Sequence, residues 1–246
     1  MELIYKRAYT VCEHDVDCFG NAKLSTLLYY AQEIAGEHCL ALGADADTLA
    51  EKNLFWAVTR HKMVIHRLPK LGECLTVETW PMPTTRVAYP RTIAAYDAQG
   101  TLLFQSISLW VLMDLNSRSM VLPGKSGIAV DGILRGFELD TPHSVAPKAL
   151  PNQEHRFVTY SCLDRNGHMN NTYYLDWVVD LLDSRFHSSH TPREFTVCYL
   201  NEAREKQDIC LHWELSDSGV LTVDAHRART DAPEKTDRVF SAQMLF

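Results

Sequence analysis

Two rhythms of apolar residues run along this chain, and each occurs twice. In the second half, Tyr174, Trp177, Val178 and Leu181 fall at i, i+3, i+4 and i+7, a spacing that predicts an amphipathic helix. Leu27, Leu28 and Ala31 belong to a similar helix predicted over roughly 22–42. Strand-like alternation covers 87–97 and 102–113, joined by a turn at "DAQG", and returns over 220–229 and 238–246, around a turn near "TDAPEK". A further strand is expected at 192–201.

The recurrence is a repeat. Residues 16–32, "VDCFGNAKLSTLLYYAQ", align with 163–179, "LDRNGHMNNTYYLDWVV", so that Asp17 falls on Asp164 and Gly20 on Gly167. Further on, the segment from residue 64 aligns with that from 198 at a smaller offset. The difference matches an insertion of about one short helix, "GADADTLAEKNLF" (43–55), in the first copy. Each copy therefore reads as strand, long helix, then four strands. A long helix followed by an antiparallel run able to wrap it describes the hot-dog fold, here α+β and in tandem. Such a half leaves sheet edges open, and two halves joined edge to edge would cover them. The expected domains are 1–140 and 141–246. The Pro- and Gly-containing stretch of about 116–150 (Pro123, Pro142, Pro147, Gly124, Gly127, Gly132, Gly136) serves as linker.

The copies differ where chemistry would sit. The second has Asn166 over Phe19, His168 over Asn21 and Glu202 over Leu68, while Asp164 and Asp17 agree. A purely structural role would be needed in both copies, so the asymmetry favours one chemical site, in the second half. If 164–168 is extended, Asp164, Asn166 and His168 point one way. Gly167 permits a tight turn. A helix beginning near Asn170–Asn171 would bring capping residues and free N–H donors. Glu202 lies at the end of a strand expected beside that helix. Carboxylate, imidazole, amide and N–H donors suit attack of water on a carbonyl.

Composition narrows the field. Hydrophobic residues make up 46% and charged residues 22% of 246, enough for a sizeable core. Net charge is −7 and neither half is basic, which argues against nucleic acid as the main partner. Seven scattered cysteines without a CxxC pair suit free thiols in a reducing compartment. The first residues lack the pattern of a signal or transit segment, and no apolar run approaches a membrane span, so a cytoplasmic location is expected.

Rival readings weigh less. A calcium loop sharing "DxN" would need glycine at its sixth and a carboxylate at its twelfth position, where Met169 and Leu175 stand. Cys162 or Cys198 could act with His168 as a nucleophile, but a free cysteine is most often a small buried hydrophobe. Helix capping explains the motif by itself. Glu202 and the broken repeat tip the balance to catalysis.

At this point the chain resembles the acyl–acyl-carrier-protein thioesterases of bacteria and plant plastids. The likeness runs through "NLFWAVTRHKMVIHRLPKLGECLTVETW" (53–80), "SISLWVLMDLNSRSMVLP" (106–123), "DRNGHMNNTYYLDW" (164–177) and "YLNEA" (199–203). The resemblance implies a double hot-dog fold and release of a free fatty acid from acyl carrier protein. It implies catalytic roles for Asp164, Asn166, His168 and Glu202, with no metal or cofactor. Plant members often carry cysteine after the glutamate; this chain has Ala203, which supports attack by water. The first half would line the acyl chain, and Arg60, Lys62, Arg67, Arg86 and Arg91 are candidates to meet the acidic carrier. Coenzyme A as the thiol, a hot-dog dehydratase and a non-catalytic acyl-thioester sensor are the alternatives. Two such chains could also pair as a homodimer.

Overall fold

The computed structural model describes residues 3–130, 132–135, 139–146, 148–229, 232 and 234–246. Gly136 and Pro147 of the expected linker, and Thr230, Asp231 and Pro233 of the expected turn, lie outside them. The chain forms two compact units, Met1–Pro142 and His143–Phe246.

In the first unit, β1 (Tyr5–Thr10) leads to helix α1 (Leu24–Ala41), a short helix α2 (Ala46–Glu51) and the strands β2 (Leu54–Ile65), β3 (Cys74–Pro81), β4 (Tyr89–Tyr96) and β5 (Leu102–Asp114). β6 (Met120–Val121) pairs with β5, and a single helical turn, α3 (Pro123–Ser126), follows. The antiparallel order is β1-β3-β4-β5-β2. α1 buries Leu27, Ala31, Ile34 and His38, the stripe that a 3.6-residue period predicts. It stops at Gly43, whose φ of 66° is the left-handed conformation that ends helices. The expected insertion holds α2, capped by the Asp45 carboxylate, which accepts from the Asp47 and Thr48 N–H groups.

The second unit repeats the plan: β7 (Asn152–Phe157), α4 (Tyr173–Val179), α5 (Ser184–His187), β8 (Glu194–Tyr199), β9 (Asp208–Leu215), β10 (Val220–Ala228) and β11 (Thr236–Leu245). Its antiparallel order, β8-β11-β10-β9-β7, matches that of the first unit strand for strand. The helix is shorter than the repeat predicts. It starts at Tyr173 and ends at Val179; Asp183 then caps a new turn by accepting from Phe186 N–H at 3.0 Å. An Asp-Ser pair is a start signal, so it re-initiates helix where the pattern alone implies continuation. Tyr174, Trp177, Val178 and Leu181 are buried nonetheless.

The start of the expected linker has structure of its own. After β6 and α3, Ile133 N–H donates to the Pro81 carbonyl, and a Cβ on Gly132 would overlap the Met82 backbone. Arg135 pairs with Glu78 at 3.1 Å and lies over the Trp80 ring.

The face of the first sheet turned to α1 mixes polar with apolar rows. Pairing aligns Pro81, Arg91, Ser108 and His61 across four strands, and beside them Thr79, Ile93, Ser106 and Met63. Burial pushes the His61 imidazole down from 6.5 to about 4, so the native state holds it neutral. The unfolded chain binds that proton more readily. Stability from neutral His61 is therefore complete above its unfolded value and is lost as pH falls towards about 4. Urea titrations at stepped pH should show the wild type losing a few kcal/mol at most (about 1.4 per pKa unit) relative to His61→Gln across that window. Parallel stability curves for the two proteins would refute it.

Candidate active site

The loop 163–169 is built by one carboxylate. Asp164 Oδ1 accepts from Asn166 N–H at 2.8 Å and from His168 N–H at 3.3 Å. Asp164 N–H donates to the His168 carbonyl, and Gly167 N–H donates to that of Asp164. Gly167 takes φ 74°, where a side chain is strained. The segment is a tight turn closed by a bridge between Leu163 and Met169, so the expectation of an extended 164–168 fails. A short side chain that can accept from its own following amides prefers a turn over a strand.

The first copy makes the same bonds. Asp17 Oδ1 accepts from Phe19 and Asn21 N–H, Asp17 N–H donates to Asn21 O, and Gly20 takes φ 75°. Met169 N–H donates to Ala203 O as Ala22 N–H donates to Pro69 O. Asn170 N–H reaches Cys162 O as Lys23 N–H reaches Asp15 O. The shared aspartate is thus explained by the loop in both halves, and Asp164 also receives Asn166 Nδ2 at 3.3 Å.

His168 and Glu202 meet: Nε2 lies 3.0 Å from Oε2. The imidazole side chain is 16% exposed and the carboxylate 38%, so the pair is sheltered on one side and open on the other. The loop's tie to the Ala203 carbonyl sets this meeting, because it holds Met169 beside the residue that follows Glu202. Their counterparts, Asn21 and Leu68, have no such chemistry. Asn166 is exposed, and its bond to Asp164 uses one of the two N–H groups on Nδ2. Arg204 stands 3.8 Å from Glu202 and is 63% exposed, a weak pair.

The expected free N–H donors at the helix mouth are largely taken. Asn170 Oδ1 accepts from Thr172 N–H at 3.0 Å, and Tyr173 N–H donates to Asn170 O. With the helix starting at Tyr173 and running seven residues, its dipole is also small. The cysteines point elsewhere: the buried Cys162 thiol meets Thr159 Oγ1 at 3.2 Å, and Cys198 Sγ reaches the His143 carbonyl.

One residue that the sequence pattern did not single out braces the backbone of Glu202. Arg227 on β10 donates from Nη1 to the Glu202 carbonyl and to Gln207 Oε1. In the first copy, Arg67 does the same for the Leu68 carbonyl and Glu73, from the bend that follows β2. A guanidinium thus braces the equivalent carbonyl in each half, with its origin exchanged. No spacing rule exposes that, because only the fold brings Arg227 to residue 202. Tyr174 lies beneath, packed edge-on against Tyr199 and Phe240. Burial pushes its hydroxyl well up from its ordinary value, against the opposing influence of the Ala203 backbone and Arg227. Tyr199 OH in turn holds the Asn171 carbonyl.

The candidate docking cations divide. Arg91 is buried and bonded within the first unit, which takes it off the surface, whereas Arg67 pairs with Glu73 with its side chain 44% exposed. Arg86 is exposed, Lys62 is half-buried, and Arg60 is half-buried with a bond to the Pro142 carbonyl.

The chain matches the family models described as the acyl-ACP thioesterase N-terminal domain, over residues 2–122, and C-terminal domain, over 147–239. A chloroplastic palmitoyl-acyl carrier protein thioesterase of Gossypium hirsutum is 24% identical over 218 residues, 81% of this chain and 52% of that protein. A chloroplastic oleoyl-acyl carrier protein thioesterase of Coriandrum sativum is 25% identical over 88% of this chain and 62% of its own length. The chain therefore spans about half the length of the curated relatives it matches. An acyl-ACP thioesterase crystal structure from Bacteroides thetaiotaomicron superposes with a TM-score of 0.83 at 20% identity, covering 99% of this chain and 97% of that one. The 12:0-ACP thioesterase from Umbellularia californica also gives 0.83, at 19% identity, covering 100% and 97%. These two likenesses show the fold, a double hot-dog.

If the two guanidinium braces are equivalent, Arg227→Met and Arg67→Met should destabilise the protein by similar amounts, about 1–3 kcal/mol each. Urea unfolding of both variants measures it; a loss at one position alone would break the equivalence.

Proposed function

Because the chain belongs to the acyl-ACP thioesterase family, we propose that it hydrolyses a fatty acyl thioester of acyl carrier protein, releasing free fatty acid and the carrier thiol. The observation that carries the reading is the 3.0 Å contact of His168 Nε2 with Glu202 Oε2, in the copy of the repeat that alone has both groups.

Glu202, held by His168, takes a proton from water as its oxygen adds to the thioester carbonyl. The second N–H of Asn166 Nδ2 stabilises the oxygen on which negative charge develops. Collapse breaks the C–S bond, and the imidazole side of the pair returns a proton to the leaving sulfur. The imidazole and the carboxylate are in direct contact, so the acid and base roles belong to the pair. Asp164 shapes the loop and orients Asn166. Seven free thiols support a reducing compartment such as the cytoplasm.

Thiol release measured on acyl carrier protein and coenzyme A thioesters tests the activity and the carrier together. His168→Ala and Glu202→Ala should each lose about 10²–10⁴-fold in rate while keeping the fold. Asn21→Ala should stay near wild type, and a large loss there would undo the assignment of chemistry to the second unit. Carrier docking through Arg86, Lys62 and Arg60 should raise KM as salt shortens electrostatic reach from about 30 Å at 0.01 M to about 3 Å at 1 M. A KM that ignores salt would remove these residues from docking.

A further inference from the structure

One peptide unit of the second half is held at both of its ends. The carbonyl of the Glu202–Ala203 peptide accepts from Arg227 Nη1. Its N–H, that of Ala203, donates to the hydroxyl oxygen of Tyr174 on α4. The next carbonyl, that of Ala203, accepts from Met169 N–H at 2.8 Å and so ties in the loop that carries His168. Ala203 and Tyr174 are both buried. The phenol ring packs edge-on against Tyr199 and Phe240, with ring centroids 5.4 and 4.9 Å away. Packing therefore fixes the hydroxyl in place as well as its bond does.

The repeat separates this bond from the rest of the scaffold. Arg67 braces the Leu68 carbonyl, and Ala22 N–H donates to the Pro69 carbonyl, so the first unit keeps the guanidinium and the loop tie. It lacks both partners of the third contact together. Leu27 stands at the place of Tyr174 and has no hydroxyl, and Pro69 stands at the place of Ala203 and has no N–H. The half in which Leu68 replaces Glu202 dispenses with the bond, and the half with the His168–Glu202 pair has it. A contact needed by the shared fold would recur in both units.

We propose that Tyr174 is a positioning residue for the hydrolysis: its hydroxyl fixes the peptide after Glu202 and so aims the Glu202 carboxylate at His168 and at the attacking water. The proposal deepens the thioesterase reading and rests on it for the role in turnover. Arg227 and Tyr174 grip opposite ends of one planar group, which holds that group against rotation about the chain. The Glu202 side chain is 38% exposed and long, so its backbone is the lever by which buried residues control it. Removing the hydroxyl leaves the buried Ala203 N–H without its acceptor and lets the carboxylate drift from its 3.0 Å contact with His168.

Tyr174→Phe tests it, because the ring that packs on Tyr199 and Phe240 is kept and only the hydroxyl goes. On acyl carrier protein thioesters, kcat should fall roughly 10–100-fold with KM near wild type. The loss should vanish where the carboxylate is already gone: the double variant Tyr174→Phe, Glu202→Gln should be no slower than Glu202→Gln. A role confined to stability would slow both backgrounds alike. Without substrate, the NMR titration of the His168 ring in Tyr174→Phe should move towards that in Glu202→Gln, while those of His212 on β9 and His226 on β10 stay in place. A wild-type kcat, an unmoved His168 titration or a double variant in which the two losses multiply would each overturn the proposal. If the wild type hydrolyses no acyl thioester and the His168 titration still moves, the thioesterase reading fails and the clamp on Glu202 stands.

Discussion

A carboxylate that binds its own following backbone is the constraint from which the site grows. Asp164 closes a turn that sends Met169 back to the Ala203 carbonyl, and this brings His168 against Glu202. Without that turn, the imidazole and the carboxylate would belong to segments more than thirty residues apart, with only chain entropy between them. The left-handed glycine after Asn166 is the backbone conformation the turn demands.

The same turn in the first unit separates structural from chemical residues. Asp17, Gly20 and the tie from Ala22 to Pro69 reproduce the scaffold bond for bond, yet Phe19, Asn21 and Leu68 stand where the second unit has Asn166, His168 and Glu202. Duplication gives an internal control: what both halves keep serves the fold. Asp164 belongs first to that class, with its bond to Asn166 added. The exchange of Arg67 for Arg227 shows the reverse case, one electrostatic need met from two places in the chain.

Local patterns carried a large part of this in the sequence. The 3.6-residue stripe of α1, the alternation of β4, β5, β10 and β11, and the Asp-Gly coincidence of the two loops all depend on neighbours within a few residues. The insertion at 43–55 was legible because it broke the alignment of the copies. The short second helix was not, because Asp183 competes for the chain through a cap that apolar spacing does not register. The turn at 164–168 departs from the extended run that alternation implies for the same reason: carboxylate-to-backbone bonding outweighs alternation over so short a span.

The sequence by itself determined a duplicated α+β plan, the residue types available for chemistry and the half that has them, since these follow from order and spacing along one chain. Only the tertiary structure decided that His168 touches Glu202, that the helix-mouth amides are occupied, that Arg227 holds the Glu202 backbone and that Arg91 is interior. Each of those depends on distance between segments remote in sequence. Such distances are set by strand register and helix packing, which no local period encodes.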